Sequence, residues 1–475
     1  MSGAYAALCR GSRLGELVSR REPGAASRHA RVRSSTLTCL AYAQVPKSRD
    51  DPRACAAVRR TIFEDEHKWF RETVRTFVER EIHPVRERIR QQRLIERRIW
   101  HRAGAAGFLG LGVPAEHGGS GTADFRFNAV LGEELARAGM AYASSFGIHT
   151  DVVAPYLVES TTPAQRERWL PRFCTGELIT AIAMTEPEAG SDLRALRTSA
   201  RRDGSAWVLN GSKTFITNGY SADLVVVAAR TDAQSGQTGI TLFGVETGSA
   251  GFTRGRKLSK TGQHEADTAE LFLEDVWLTD EDRIGELNGG FKLMVQRLTQ
   301  ERLSAAVANL AHATVALEQT LVYARERKAF GRPIGTFQNS RFELAAMTTE
   351  IDVTQAYIDR CVQAHVDGEL TGVDAAKAKW WSAEIQNRVL DRCVQLFGGY
   401  GYMEEYDVAR AWADARVTKI WAGSNEIMKE IIGRSLGLGD PAPAPAAEGH
   451  RPAPRTGLAG EKAINQRNEG CRDSI

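Results

Sequence analysis

The chain has 475 residues, more than a single domain usually holds, so we expect two or three packed units with a substantial core. Its 62 Lys and Arg residues nearly balance 59 Asp and Glu residues, for a formal net charge of +3. This balance excludes a global electrostatic reason for binding nucleic acid or a membrane surface.

Cysteine usage and hydropathy exclude two further classes. The seven cysteines are scattered without a C-x-x-C pair or a histidine cluster at metal-ligand spacing, which indicates a reducing compartment and no metal site. No uninterrupted apolar run approaches the length that crosses a bilayer, so we expect no integral membrane segment.

Both ends of the chain are predicted to be disordered. The first sixty residues carry eleven arginines, one lysine and four acids. Residues 1–58 resemble a transit peptide in composition, but Arg-over-Lys, Ala-rich usage runs through the whole chain, as in GC-rich bacterial genes. We therefore favour a disordered arm or a misplaced start, and a bacterial cytoplasm over a mitochondrial matrix. Residues 439–475 contain P-A-P-A-P-A-A and are predicted to form a flexible tail.

Between the ends, hydrophobic periodicity predicts an α+β protein with three domains. These are an N-terminal helical domain over 59–178, a central antiparallel β domain over 179–287 and a C-terminal helical domain over 288–438. In the first, Trp69, Phe70 and Val74 begin a helical pattern, and Thr162-Pro163 is typical of a helix start. In the second, runs such as D-L-V-V-V-A-A-R and I-T-L-F-G-V-E lie between turn residues.

Glu301 stands out in the third domain because it lies on the apolar face of a predicted helix. The other residues on that face are Phe291, Met294, Leu298, Ala305 and Ala308. A carboxylate withdrawn from water there has a raised pKa, which suits a general base. The alternative is a helix glutamate ion-paired to Arg302 or to another cation.

Two motifs of the β domain are rich in Gly, Ser and Thr. A-M-T-E-P-E-A-G-S-D spans 183–192 and N-G-S-K-T-F-I-T-N-G spans 210–219. Backbone amides and hydroxyls of this kind bind the polar edge of a planar heterocycle, and Phe215 offers a ring to stack on it, although each motif alone is typical of a hairpin turn. Neither matches a Rossmann or P-loop fingerprint.

Two motifs of the third domain suggest a pyrophosphate site. E-R-K-A-F-G-R-P-I-G-T-F-Q places Arg327 and Gln338 around a turn, which supplies a permanent cation and an amide. V-Q-L-F-G-G-Y-G-Y, residues 394–402, allows close backbone approach at Gly398 and Gly399. The alternative for these glycines is a helix C-cap.

Four motifs in this order resemble the acyl-CoA dehydrogenases: M-T-E-P-x-x-G-S-D, N-G-x-K-x-x-I-T-N-G, R-x-x-F-G-x-x-I-x-x-x-Q and Q-x-x-G-G-x-G-Y. The resemblance covers about residues 61–438. It implies a helical domain, a β-barrel domain and a C-terminal four-helix bundle, with FAD bound between subunits of a homotetramer. It also implies fatty acid β-oxidation, with an electron-transfer flavoprotein as partner.

The resemblance also assigns residues. Those implied to bind FAD are Met184, Thr185, Ser191, Phe215, Ile216, Thr217, Arg327, Phe330, Gln338, Gln395, Leu396, Phe397, Gly398, Gly399, Ser424 and Glu426. Those implied to bind the substrate are Ser191, Thr299, Arg302, Ala422 and Gly423. Phe215 stands where the family often has tryptophan, so the stacking role is kept.

Ala422 departs from the pattern, since many members carry the catalytic glutamate at this position and alanine cannot accept a proton. Long-chain and isovaleryl-type members have a small residue there and a glutamate in the preceding helix, within E-R-L. Glu301-Arg302-Leu303 matches that pattern, so the resemblance makes Glu301 the base that removes the α proton of an acyl-CoA. The expected product is a trans-2-enoyl-CoA.

The sequence leaves the substrate open, with a medium- to long-chain acyl-CoA favoured and a short branched, isovaleryl-type substrate as alternative. An acyl-CoA oxidase usually has an added C-terminal helical domain, for which this chain has no segment. A flavin monooxygenase on the same fold needs no α-proton base. A protein that keeps FAD without redox chemistry is a further alternative, favoured by Ala422.

Overall fold

The computed structural model describes residues 59–233 and 239–438. The predicted arm and tail lie outside the described residues. The described chain runs through helices, then strands, then longer helices, which confirms the predicted α+β order. Residues up to Ile432 form one compact unit, and Gly433–Leu438 are described by themselves as the end of the last helix and the residues after it.

The N-terminal part is helical. Its helices are α1 (Asp65–Phe77), α2 (Arg86–Gln92), α3 (Arg97–Ala105), α4 (Phe125–Ala138), α5 (Met140–Gly147), α6 (Ala154–Glu159) and α7 (Pro163–Thr175). The predicted start at Thr162-Pro163 is confirmed: the Thr162 hydroxyl accepts from the amide of Gln165, whose side chain bonds back to the Thr162 amide. A wide π-helical turn over Ile148–Val153 leads directly into α6.

The central part is one eight-stranded sheet. Its strands are β1 (Thr180–Ala183), β2 (Ser199–Asp203), β3 (Ala206–Thr217), β4 (Leu224–Arg230), β5 (Ile240–Glu246), β6 (Phe252–Lys257), β7 (Thr268–Leu278) and β8 (Arg283–Ile284). The strands pair in the order β6-β7-β3-β2-β4-β5-β8, and β1 pairs with β4. Most neighbouring strands pair antiparallel, as predicted, while β1 and β2 each pair with β4 in parallel. Periodicity reports which residues are buried and does not report which strands pair.

The C-terminal part consists of long helices. They are α8 (Gly290–Glu326), α9 (Gln338–Val366), α10 (Gly372–Phe397), α11 (Asp407–Ala415) and α12 (Asn425–Ser435), with a small hairpin, β9 (Lys328–Ala329) and β10 (Arg332–Pro333), between α8 and α9. The side chain of Thr371 caps α10 by accepting from the amide of Asp374. None of the helices in the described ranges combines the length and hydropathy needed to cross a membrane.

Helix α8 contacts both helical parts. It packs against α4 of the N-terminal part and against α9 and α10 of the C-terminal part. Between Arg302 and Ala313 nearly every residue is buried, and Leu303, Ala306 and Leu310 belong to one apolar core. The first third of α8 is only partly covered. Glu301 therefore lies where the helix passes from a partly open surface into the interior.

Candidate active site

Glu301 occupies a desolvated position on α8. Its side chain is half-buried, and burial raises the pKa of the carboxyl to about 7, against the opposing effects of the Arg302 charge and a tyrosine hydroxyl. No ion pair joins Glu301 to Arg302 anywhere in the described chain, so the alternative of an ion-paired helix glutamate is not supported. A carboxyl with this pKa is a competent base near neutral pH.

Tyr156 is the side chain that faces this carboxyl. It lies on α6 and is fully buried. Its hydroxyl lies 3.5 Å from Oε1 of Glu301. Tyr156 cannot be singled out from the sequence, because nothing in the pattern V-V-A-P-Y-L separates it from an ordinary core tyrosine.

Two buried cations connect Glu301 to the turn that contains Ala422. Arg302 is 8% exposed, and its Nε has no hydrogen-bond partner among the described residues. Burial, and after it the neighbouring charge of Arg302, lower the pKa of Lys379 to about 8. Lys379 Nζ donates to the carbonyl oxygen of Gly423 at 2.6 Å. Ala422 and Gly423 both have left-handed backbone, with φ of 50° and 83°.

The two motifs of the β domain are joined by a buried ion pair. Lys213 on β3 donates to Oε1 of Glu186 at 2.7 Å and to the carbonyl of Met184 at 3.3 Å. Glu186 also accepts from the backbone amides of Arg197 and Thr198. Burial lowers the pKa of Lys213 to about 8, and the carboxylate of Glu186 opposes that shift. The pair fixes the loop after β1 against β3.

Phe215 is presented by an irregularity in β3. The register between β3 and β7 shifts between Lys213 and Ile216, and Phe215 has φ of 59°. Its ring is 69% exposed, which is unusual for phenylalanine. A large aromatic ring held outward by a strained bulge is a surface on which a planar heterocycle can stack.

The residues near Phe215 fit the flavin that the motifs imply. Thr185 and Thr217 are half-buried, and their hydroxyls form no hydrogen bond within residues 59–233 and 239–438. The same strand places the Ile216 side chain in the core and Thr217 at its end. Met184 packs against the apolar cluster that contains Tyr156, which brings this motif close to the surroundings of Glu301.

A second group of predicted contacts lies at the far end of α8. The guanidinium of Arg327 lies over the ring of Tyr400 at 5.5 Å, and Tyr323 stacks on Phe397 at 4.0 Å. Phe330 is 96% exposed with φ of 51°. A permanent cation beside exposed aromatic rings suits a pyrophosphate and an adjoining base. No hydrogen bond, ion pair or ring contact between described residues joins this group to Phe215.

The remaining predicted contacts lie on exposed or half-buried positions. Gln338, Gln395, Gly399, Ser191 and Glu426 are exposed and Leu396 is half-buried. Gly398 ends α10 with φ of 61°, so the predicted alternative of a helix C-cap holds for it. Ser424 Oγ accepts from the amide of Ile427 and caps the start of α12.

Thr299 lies on a different side of α8 from Glu301. It is two residues from Glu301, so the two side chains point about 200° apart around the helix. A Cβ added at Gly372, the first residue of α10, would lie 3.8 Å from its Oγ1. This position gives no support to its expected role in holding the substrate.

Comparison with known proteins assigns the three parts of the chain separately. Residues 64–177 match the family model described as the acyl-CoA dehydrogenase N-terminal domain. Residues 181–276 match the middle domain and residues 288–437 the C-terminal domain of the same family.

Individual proteins cover most of the chain. A mitochondrial long-chain specific acyl-CoA dehydrogenase of Rattus norvegicus is 46% identical over 379 residues, 79% of this chain and 88% of that protein. A mitochondrial isovaleryl-CoA dehydrogenase of Solanum tuberosum is 34% identical over 82% of this chain and 95% of its own length. The crystal structure of an acyl-CoA dehydrogenase from Geobacillus kaustophilus superimposes with a TM-score of 0.79, at 43% identity, over 80% of this chain and all of that one.

Proposed function

The chain belongs to the acyl-CoA dehydrogenase family, and from this premise we propose that it oxidises acyl-CoA thioesters to trans-2-enoyl-CoA with Glu301 as the base. The observation that carries the role of Glu301 is its environment. It is a half-buried carboxyl with a pKa near 7, beside the cluster that holds the Met184 motif. Its place before Arg302-Leu303 also matches the E-R-L pattern.

The family uses FAD, and the residues present fit it. We assign Phe215, Thr185 and Thr217 to the ring, and Arg327 with the exposed Phe330 to the dinucleotide end. The chemistry that FAD supplies when bound is two-electron acceptance, as hydride from the β carbon of the substrate. A protein without such an acceptor cannot complete the reaction, because no side chain accepts hydride.

The chain's own residues handle the proton and the developing charge. Glu301 takes the α proton, and the electrons of that C–H bond form the new double bond as the β hydrogen leaves. Negative charge that develops on the thioester oxygen requires fixed donors, and we assign the backbone amide of Ala422 to this task. Lys379 holds the adjoining Gly423 carbonyl, so the turn is anchored to α10.

For the substrate, we propose a long straight acyl chain. Support comes from the identity to a long-chain specific relative and from the placement of the base on α8. The isovaleryl-type relative is the reason to keep a short branched substrate as the second candidate. Ser191, Arg302 and Gly423 stay candidate substrate contacts, and Thr299 stays one without geometric support.

We also propose an electron-transfer flavoprotein as acceptor, a homotetramer as assembly, and the cytoplasm of a bacterium as location. The exposed Phe330 beside Arg327 supports the assembly, since a neighbouring copy that covers this surface completes a cofactor site. The location rests on the composition of the chain. The mitochondrial matrix is the alternative location, because the two relatives named above are mitochondrial proteins.

The test is anaerobic mixing of FAD-loaded protein with a panel of acyl-CoAs. We expect long straight chains to abolish the flavin absorbance fastest, and isovaleryl-CoA slowest. Absorbance that no acyl-CoA changes would refute the dehydrogenase and favour a structural role for FAD. Reoxidation by molecular oxygen as fast as by an electron-transfer flavoprotein would favour an oxidase.

A further inference from the structure

Three polar contacts lie in a row between α8 and the segment that ends in α6. They are Arg297 with Glu159 at 2.8 Å, Glu301 with Tyr156 at 3.5 Å, and Ser304 with Asp151. We call these six residues the polar ladder. From one contact to the next, the residue numbers increase along α8 and decrease along the segment that ends in α6, so the two segments run antiparallel. The middle contact contains the proposed base.

The two outer contacts fix the register of the ladder. Asp151 is buried and accepts hydrogen bonds from Asn128 at 2.8 Å and from Ser304. Its backbone oxygen accepts from the side-chain amide (Nε2) of Gln300 at 2.7 Å. Helix α8 is therefore held on both sides of Glu301, and the helices cannot slide without breaking several bonds. This leaves side-chain rotation as the main freedom of Glu301.

Tyr156 is placed to restrict that rotation. Glu301 is the only hydrogen-bond partner of its hydroxyl among the described residues. A fully buried phenol without a partner is costly, so its O–H is directed to the carboxylate. Burial and the negative charge of Glu301 raise the pKa of Tyr156 well above its usual value, so the phenol keeps the proton it donates.

We propose that Tyr156 is a positioning residue, whose hydroxyl donates to Oε1 of Glu301 and leaves Oε2 free to take the α proton of the substrate. The contact of 3.5 Å is longer than the roughly 2.7 Å of a full O–H···O bond, and such contacts shorten when substrate closes the site. The inference rests on the proposed role of Glu301 as base. The phenol itself exchanges no proton with the substrate.

The test is the variant Tyr156→Phe, which removes one oxygen and keeps the packing. The Tyr156 hydroxyl stabilises the ionised carboxylate, so its removal should raise the pKa of Glu301. We therefore expect the midpoint of the pH profile for flavin reduction to rise by about 0.5–1 pH unit. A less constrained base also lowers the limiting rate at high pH, by about 3- to 10-fold. FAD content and thermal midpoint stay near those of the unchanged protein.

The matched control is Tyr357→Phe, since the Tyr357 hydroxyl makes a similarly long contact of 3.4 Å to the Asp374 carbonyl on α10. We expect it to move neither the pH midpoint nor the rate. A second readout is infrared titration of the Glu301 carboxyl in FAD-loaded protein, with Glu301→Gln to identify its band. The band midpoint should rise in Tyr156→Phe.

An unmoved midpoint in both measurements would overturn the proposal, and a loss of FAD or of thermal stability with an unmoved midpoint would mean that Tyr156 only packs. Flavin reduction that persists in Glu301→Gln would instead remove the base assignment. The failures of the two proposals are thereby distinguishable.

Discussion

Glu301 has a raised pKa because α8 carries it into a packed region while part of the side chain stays accessible. The first property makes the carboxyl basic enough for proton abstraction, and the second gives the substrate a way to reach it. Neighbouring Arg302 is buried as well, and its charge keeps the pKa from rising further. The site therefore balances desolvation against one fixed cation.

The rate of flavin reduction should depend on this pKa. Only the ionised carboxylate accepts a proton, so kcat/KM for reduction should rise with pH, with a midpoint near 7 in the free enzyme. Stopped-flow reduction between pH 5.5 and 9 measures it. A midpoint near 4.5, the ordinary value of a glutamate, would contradict the desolvated environment of Glu301.

The same shift makes a prediction for stability. The folded state binds this proton more tightly than the unfolded state, so the contribution of Glu301 to stability falls as pH rises from about 4.5 to about 7. Above pH 7 the ionised, buried Glu301 lowers the free energy of unfolding, and Glu301→Gln should remove this loss, which amounts to up to about 3 kcal/mol. With saturating FAD, its thermal midpoint should exceed that of the unchanged protein more at pH 8 than at pH 5.5. An equal difference at both pH values would argue against the shift.

The proposed base was predictable from sequence and its partner was not. Glu301 interrupts an apolar face and precedes Arg302-Leu303, and both features are visible in the chain itself. Tyr156 is 145 positions away and faces Glu301 only after α6 and α8 pack. Lys379 was not predicted for the same reason, since its hydrogen bond to Gly423 joins two segments that are distant in the sequence.

Helix α8 shows what periodicity can predict about an element. The predicted face is buried at Met294 and Ala308, as expected. Beyond Glu301, however, burial extends around most of the helix, because α4, α9 and α10 pack on different sides of it. The sheet shows a similar limit, since the strand positions followed from composition while the parallel pairing of β1 with β4 did not.

The buried pair Lys213–Glu186 should hold the flavin motifs together. Lys213→Met leaves the Glu186 carboxylate buried without its cation, at a cost of about 3–5 kcal/mol in unfolding free energy. We expect a lower FAD content after gel filtration and a lower thermal midpoint. The matched control is Arg201→Met, which breaks an exposed pair with Asp203 on β2 and should change stability by less than about 1 kcal/mol. Equal effects of the two variants would refute the role of the pair.

In the whole molecule, the two groups of proposed cofactor contacts lie on different elements. Phe215 lies on the sheet and Phe330 after the end of α8, and both are exposed rings on left-handed backbone. Such backbone costs a non-glycine residue about 1–2 kcal/mol. We infer that a ligand or a second copy that covers each ring offsets this cost. The order of helical, β and helical parts was predictable from composition, and the resemblance already implied cofactor contacts in both the β part and the C-terminal helices.

Phe330 therefore gives a test of assembly. Phe330→Ser should lower both the mass measured by light scattering and the FAD retained, because it weakens a surface that we propose a neighbouring copy covers. Trp69→Ser is the control, since Trp69 is another exposed aromatic residue, on α1 beside Asp65 and Glu66. Unchanged mass and FAD content in Phe330→Ser would show that the ring lies outside the interface.

The most direct test of the base is Glu301→Gln mixed anaerobically with the acyl-CoA that reduces the unchanged protein fastest. We expect yellow, FAD-loaded protein whose absorbance no longer falls, because the amide cannot accept the α proton. The control is Glu318→Gln, because Glu318 lies on the same helix but is ion-paired to Arg137. In this variant the flavin should be reduced at the rate of the unchanged protein. Flavin reduction by Glu301→Gln at the rate of the unchanged protein would contradict the assignment of Glu301 as the base.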